Sequence, residues 1–191
     1  MLGGDVIKGG PGNDMLTAGA VAGSNDTTAP SGAFSYIYGD AGNDTIWGED
    51  DVTDQYIWGG DDDDIIYGAD GNSKQIISGN DDNDTIHPGS NATTYVAVSG
   101  DKGYDSINPL TPTLDGNGNV SGWTPNAMNN AEEKFYGGDG PDKVFGGWQT
   151  VGPILIKGND GNDKLYGGFM AGGTQTIVGN EGSDHIRTDY Y

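Results

Sequence analysis

The 191-residue sequence contains no cysteine. That excludes a disulfide framework and any thiolate-held zinc or iron–sulfur centre. Positive charge is scarce: 8 Lys and Arg stand against 29 Asp and Glu, giving a formal net charge of −21. A surface of that sign repels phosphate, so nucleic acid is excluded as a partner. No apolar run approaches the roughly 20 residues of a membrane span. Met1 to Gly10 lacks a charged stretch followed by an apolar one, so no amino-terminal signal peptide is read there. Hydrophobic residues make up only 33% of the chain, and with so much charge that composition would suit disorder. Glycine is abundant instead, at 36 residues, but lacks the three-residue period of collagen.

Repetition overturns the disordered reading. One nonapeptide recurs eight times, as Gly9–Thr17 (GGPGNDMLT), Gly39–Trp47 (GDAGNDTIW), Gly59–Tyr67 (GGDDDDIIY) and Gly79–His87 (GNDDNDTIH), then Gly100–Asn108 (GDKGYDSIN), Gly137–Phe145 (GGDGPDKVF), Gly158–Tyr166 (GNDGNDKLY) and Gly179–Arg187 (GNEGSDHIR). Successive starts are 20 or 21 residues apart, except for steps of 30 and 37 that carry insertions. Position one is always Gly. Position six is always Asp: Asp14, Asp44, Asp64, Asp84, Asp105, Asp142, Asp163 and Asp184. Position eight is always apolar (Leu16, Ile46, Ile66, Ile86, Ile107, Val144, Leu165, Ile186). A second apolar column lies two residues before each opening Gly (Ile7, Ile37, Ile57, Ile77, Val98, Phe135, Ile156, Ile177).

Each period holds two short runs rich in Ile, Val, Tyr and Thr, separated by Gly/Asp/Asn clusters that read as turns. Each run fixes one apolar residue between variable ones, the alternation of a strand with one face inward. One period is therefore one coil: strand, turn, strand, turn. A lone coil cannot bury its apolar face, but stacked coils bury a continuous column. The expected fold is all-β, a narrow right-handed parallel β-solenoid of two short parallel sheets. It forms a single domain over residues 1–191, with loop insertions at about 18–35 and 109–133. The second insertion carries Pro109, Pro112 and Pro125 and a turn at Gly116–Asn119. The second turn of each coil carries no Asp at a fixed place, so metal chemistry is expected along one edge only.

Stacking puts the eight carboxylates in a row at a coil spacing of roughly 4.8 Å. Bare carboxylates so close repel and resist ionising. A cation between successive loops removes the conflict, and oxygen ligands on flexible loops suit Ca²⁺ better than Mg²⁺. Eight loops bracket at most seven gaps. Seven Ca²⁺ carry fourteen positive charges and would bring −21 to −7, ordinary for a soluble domain. A Gly/Asp-rich linker and a metal-free Asn/Asp ladder are the alternatives. The inward apolar columns exclude the linker.

The nonapeptides resemble the G-G-x-G-x-D-x-U-x repeat of the RTX (repeats-in-toxin) calcium-binding β-roll family. Gly9–Thr17 and Gly137–Phe145 match at every defined position. The others depart at position two (Asp40, Asn80, Asp101, Asn159, Asn180) or position four (Asp62, Asp82), with the side chains that best tolerate left-handed backbone. The resemblance implies Ca²⁺ held by the Asp at position six and by loop carbonyls. The carbonyl candidates are Gly10, Asp40, Gly60, Asn80, Asp101, Gly138, Asn159 and Asn180 at position two, and Gly12, Gly42, Asp62, Asp82, Gly103, Gly140, Gly161 and Gly182 at position four. It further implies an extracellular or cell-surface location reached by type I secretion. The common RTX roll has 18-residue coils with ions on both edges, and this chain departs from it.

Calcium is expected to act as a folding ligand. At about 1 mM Ca²⁺ and a Kd of about 10⁻⁴ M, each site adds roughly 1.4 kcal/mol. Seven sites would add about 10 kcal/mol, comparable with the stability of a whole domain. Catalysis finds no support: His87 and His185 lie in different repeats, without a nucleophile beside either. The chain is therefore read as non-enzymatic, a structural module of a surface layer, adhesin or extracellular filament. Neither terminus shows an obvious cap, so the ends are expected to expose strand edges and to stack into a layer or filament. An accessory module of a secreted protease, lipase or epimerase is the second reading. A third is a glycan-binding surface, since Tyr36, Tyr38, Tyr56 and Trp58 on one sheet and Trp47 and Tyr67 on the other should form outward aromatic patches. Cross-strand stacking that stiffens the sheets explains the same residues.

Overall fold

The computed structural model describes residues 5–18, 34–50, 53–71, 74–90, 92, 94–114, 120–125, 131–147, 152–168 and 172–188. Every regular element among them is a strand. Eight long strands form one sheet: β1 (Asp5–Pro11), β3 (Phe34–Ala41), β5 (Asp54–Asp61), β7 (Lys74–Asn80), β9 (Tyr95–Lys102), β13 (Glu132–Asp139), β15 (Ile154–Asp160) and β17 (Gln175–Glu181). Eight shorter ones form the second: β2 (Met15–Thr17), β4 (Thr45–Trp47), β6 (Ile65–Tyr67), β8 (Thr85–His87), β10 (Ser106–Ile107), β14 (Lys143–Phe145), β16 (Lys164–Tyr166) and β18 (His185–Arg187). All pairs within both sheets are parallel, and equivalent repeat positions are in register, as in Ile37↔Ile57 and Ile46↔Ile66. The expected β-solenoid is present, with one nonapeptide per coil.

The alternation of side chains places the core. Ile37, Ile57, Ile77, Val98, Phe135 and Ile156 from the long sheet meet Ile46, Ile66, Ile86, Ile107, Val144 and Leu165 from the short one, all buried. At the carboxy-terminal coil the same columns are opened, and Ile186 is 44% exposed.

Three details differ from the sequence reading. The long strands run through positions one to three of the nonapeptides, except β7, which ends at position two, so Gly10↔Asp40 and Pro11↔Ala41 are still paired. The turn proper is only positions four to six. The first insertion is narrower than 18–35, because Phe34 and Ser35 already belong to β3. The second insertion is no bare loop. It holds an antiparallel hairpin of β11 (Leu110–Leu114) and β12 (Val120–Pro125), and Glu132 and Glu133 return to the long sheet. Its turn at Gly116–Asn119 lies outside the described residues.

Candidate metal centres along the loop edge

The position-six aspartates form a row along one edge of the solenoid. Asp44, Asp64, Asp84, Asp105, Asp142 and Asp163 are buried. Each Oδ1 accepts the backbone N–H of the Asp one loop earlier. The bonds run from Asp14 N–H to Asp44 at 2.7 Å, through Asp44 to Asp64, Asp64 to Asp84, Asp84 to Asp105, Asp105 to Asp142 and Asp142 to Asp163, to Asp163 N–H on Asp184 at 3.1 Å. Seven bonds thus join all eight loops. The row continues across the steps of 30 and 37 residues, so the insertions leave it intact.

The other carboxylate oxygen is the chemically open one. Oδ2 of Asp14, Asp44, Asp64, Asp84, Asp105, Asp142 and Asp163 is buried and has no hydrogen-bond partner. It lies over the α-carbon of the Gly that opens its own loop, where a Cβ would collide with it in all eight loops. Position one is therefore Gly for space and not for positive φ, since none of these eight glycines has positive φ. Burial resists ionisation: it pushes Asp64 and Asp142 up to about 7, Asp84 to about 8 and Asp105 to about 6. The backbone N–H on Oδ1 opposes the shift, and neighbouring carboxylates such as Asp44 beside Asp64 add to it.

Positions two and four behave differently. All sixteen have positive φ, including Asp40 (76°), Asp62 (76°), Asn80 (85°), Asp82 (74°), Asp101 (77°), Asn159 (77°) and Asn180 (77°). This backbone aims their carbonyls at the same position of the next loop. A Cβ on Gly42 would strike Gly12 O, one on Gly161 would strike Gly140 O, and one on Gly138 would strike Asp101 O. The two sets are not equally available. The Gly60 carbonyl already accepts the Asp81 N–H at 3.0 Å, whereas no position-four carbonyl accepts a hydrogen bond among the described residues. Position-three carbonyls are engaged, as where Ala41 O accepts the Gly12 N–H.

These groups fit a hard cation. Among the described residues no three His, Asp or Glu side chains converge on one point. A donor set of one or two buried carboxylate oxygens per gap, completed by carbonyls, would be calcium chemistry. The Asp row with the position-four carbonyls Gly12, Gly42, Asp62, Asp82, Gly103, Gly140, Gly161 and Gly182 would hold the ions.

Some residues that build these loops were missed in the sequence. At position five the Asn or Asp side chain accepts the N–H of the next loop: Asn13 from Asn43, Asp63 from Asn83, Asn83 from Tyr104, Asn162 from Ser183. The recurring Asn at that column was the available signal. On the opposite edge Asp50 and Asp70 do align, contrary to expectation: Asp50 accepts the Asp70 N–H at 2.8 Å and Asp70 accepts the Ser90 N–H at 2.5 Å. The outward aromatics stack as expected, Tyr36 on Tyr56 at 5.0 Å, Tyr38 on Trp58 at 4.8 Å and Trp47 on Tyr67 at 4.0 Å. His87 continues the last column at 5.3 Å from Tyr67, and its Nδ1 meets Asn108 O at 2.9 Å.

Fold and loop edge together define a calcium-binding β-roll. Residues 2–20, 34–52, 56–74, 76–94, 129–150, 155–169 and 171–189 match the family described as RTX calcium-binding nonapeptide repeat (4 copies). These segments cover more than half of the chain, and it belongs to that family. Repeats of this family bind Ca²⁺. The copy at Gly100–Asn108 lies outside the matched segments, yet Asp105 occupies its place in the row. No curated protein and no solved structure matched the chain.

Proposed function

We propose that the chain is a non-catalytic module of a secreted or cell-surface protein that folds when Ca²⁺ fills the loop edge. RTX repeats are typical of extracellular proteins exported by type I secretion. The observation that carries the reading is the row of buried Oδ2 atoms without partners. Isolated, buried carboxylates cost several kcal/mol unless a counter-charge is present. At most seven ions, one per gap, would supply it. Exported chains meet little calcium inside the cell and about millimolar calcium outside, so folding would follow export.

Within that reading we propose a structural role in a layer, adhesin or filament, by end-to-end stacking of rolls. An accessory folding module of a secreted enzyme is the competing role. The test is far-ultraviolet circular dichroism with light scattering during a Ca²⁺ titration, with Mg²⁺ as control. The expected outcome is a coil-to-β transition with Ca²⁺ alone, accompanied by particle growth. A folded monomer would favour the accessory role. Full β signal in chelator would overturn calcium-driven folding.

A further inference from the structure

The outer face of the long sheet carries a block of four rings. Tyr36 stacks on Tyr56 and Tyr38 on Trp58, each pair at an interplanar angle of 6°, and Tyr56 and Trp58 stand side by side at 6.2 Å. The ring planes repeat at the coil spacing, so each column ends in a ring face. The chain covers several ring faces, two of them in this block, with its own lysines. Lys8 Nζ lies 5.1 Å from the centre of Tyr38, Lys74 5.1 Å from Tyr56, Lys134 5.2 Å from Tyr95, Lys143 4.9 Å from Phe145 and Lys157 5.9 Å from Tyr136. Most of the chain's few cations are placed this way.

Among the described residues no lysine lies over Trp58. Indole attracts cations more strongly than any other side-chain ring, yet its register neighbour in the next coil is Ser78. A cleft of about 250 Å³ opens beside it, lined by Tyr38, Asp40, Trp58, Gly59, Gly60 and Asn80. Gly60 lies between Asp40 and Asn80, its neighbours in the preceding and following coils. The Ser78 hydroxyl bridges Asn80 Oδ1 and the Asp101 carboxylate, fixing that wall. The cleft thus combines an aromatic wall, an exposed carboxylate and an amide.

We propose that this cleft binds an arginine side chain of a partner polypeptide. A planar guanidinium continues a stack of parallel planes and meets the Asp40 carboxylate with its paired N–H groups. The volume is below the roughly 300–1,000 Å³ of drug-sized ligand sites, which suits one side chain. Even with seven Ca²⁺ bound the net charge would stay near −7, which draws basic partners toward the surface. The self-capping lysines show which chemistry the ring faces accept, and no described lysine occupies that place on Trp58.

The test uses the full chain saturated with Ca²⁺ and a tetra-arginine peptide, followed through the indole N–H resonance of Trp58. Tetra-glutamate and cellotetraose are the comparison ligands. Saturable movement of that resonance with the arginine peptide is expected. Asp40→Asn should weaken binding by about fivefold, the scale of one charge-assisted contact. Asn is already present at this loop position in Asn80, Asn159 and Asn180, so the variant should fold. Ser78→Lys places an internal ammonium beside Trp58 as Lys157 stands beside Tyr136, and should abolish binding. Asp160→Asn removes an equal, exposed charge from a distant coil and should change affinity by less than about twofold. Equal losses from Asp40→Asn and Asp160→Asn would reduce the effect to general attraction and overturn the site. So would a Trp58 response to cellotetraose but not to the peptide, or undiminished binding by Ser78→Lys.

Discussion

At the scale of single residues, the two oxygens of each row aspartate have separate jobs. Oδ1 is a structural acceptor that ties one loop to the previous one, and Oδ2 carries the charge that needs a cation. An Asp→Asn exchange separates these jobs, because the amide oxygen can keep the first bond while the charge is lost. Asp84 is the best place, since burial pushes it furthest, to about 8. In chelator Asp84→Asn should stabilise the roll by about 1 kcal/mol or more, because a buried charge is removed. In saturating Ca²⁺ it should destabilise by about 1–3 kcal/mol, because the gaps on both sides of Asp84 lose a ligand. Urea denaturation under both conditions checks this. The same sign in both would mean that the row holds no ion at Asp84. The invariant glycine at position one belongs to the same device: without the bare α-carbon of Gly79, Asp84 Oδ2 has no room.

At the scale of elements, the second turn is held by a column that the repeat analysis passed over. Gln55 Oε1 accepts the Ala69 N–H at 3.1 Å, Gln75 Oε1 the Gly89 N–H at 3.2 Å and Gln175 Oε1 the Gly168 N–H at 2.8 Å. Each Gln points inward and ties the turn to the sheet. Glu133 stands in the same column, in register with Val96 and Ile154. It is fully buried, neither carboxyl oxygen has a partner, and burial pushes it up to about 8. A folded-state value above the unfolded one means that stability falls as pH rises from the ordinary carboxylate range toward 8. Glu133→Gln should therefore stabilise the protein by about 1–3 kcal/mol above pH 8. The gain should shrink steadily toward pH 5, where the folded glutamic acid keeps its proton. A gain independent of pH would point to packing alone. The columns with eight matches were legible from sequence because burial acts identically on every coil. The Gln column was not, since Ser35, Val96, Glu133 and Ile154 interrupt it. The β11–β12 hairpin was hidden by its prolines, which read as loop, although Pro112 and Pro125 are tolerated in a two-stranded ribbon. The Asp row was legible in full, but the direction of its bonds was not, because spacing fixes neighbours and says nothing of which oxygen accepts.

At the scale of the whole molecule, charge is largely sorted: most acids line the loop edge, and five lysines lie on ring faces. The row then couples folding to protons as well as to calcium. The folded-state values of Asp64, Asp84, Asp105 and Asp142 are raised, so without metal the folded state holds protons that the unfolded chain releases. Stability in chelator is therefore lost as pH rises from about 4 to about 8 and is recovered on acidification. Calcium acts in the opposite sense, because each ligand must be ionised before it binds, and protons compete below about pH 7. The two slopes cross, which neither a metal-free ladder nor an ordinary acidic domain would produce. Lowering the pH from 8 to 5 in chelator should restore part of the β signal, while the Ca²⁺ concentration at half-folding should rise over the same interval. Circular dichroism across that grid of pH and calcium measures both. A chelated chain whose β content is flat with pH would mean that the row is not buried as described, and a half-folding concentration that is flat with pH would mean that calcium binds elsewhere.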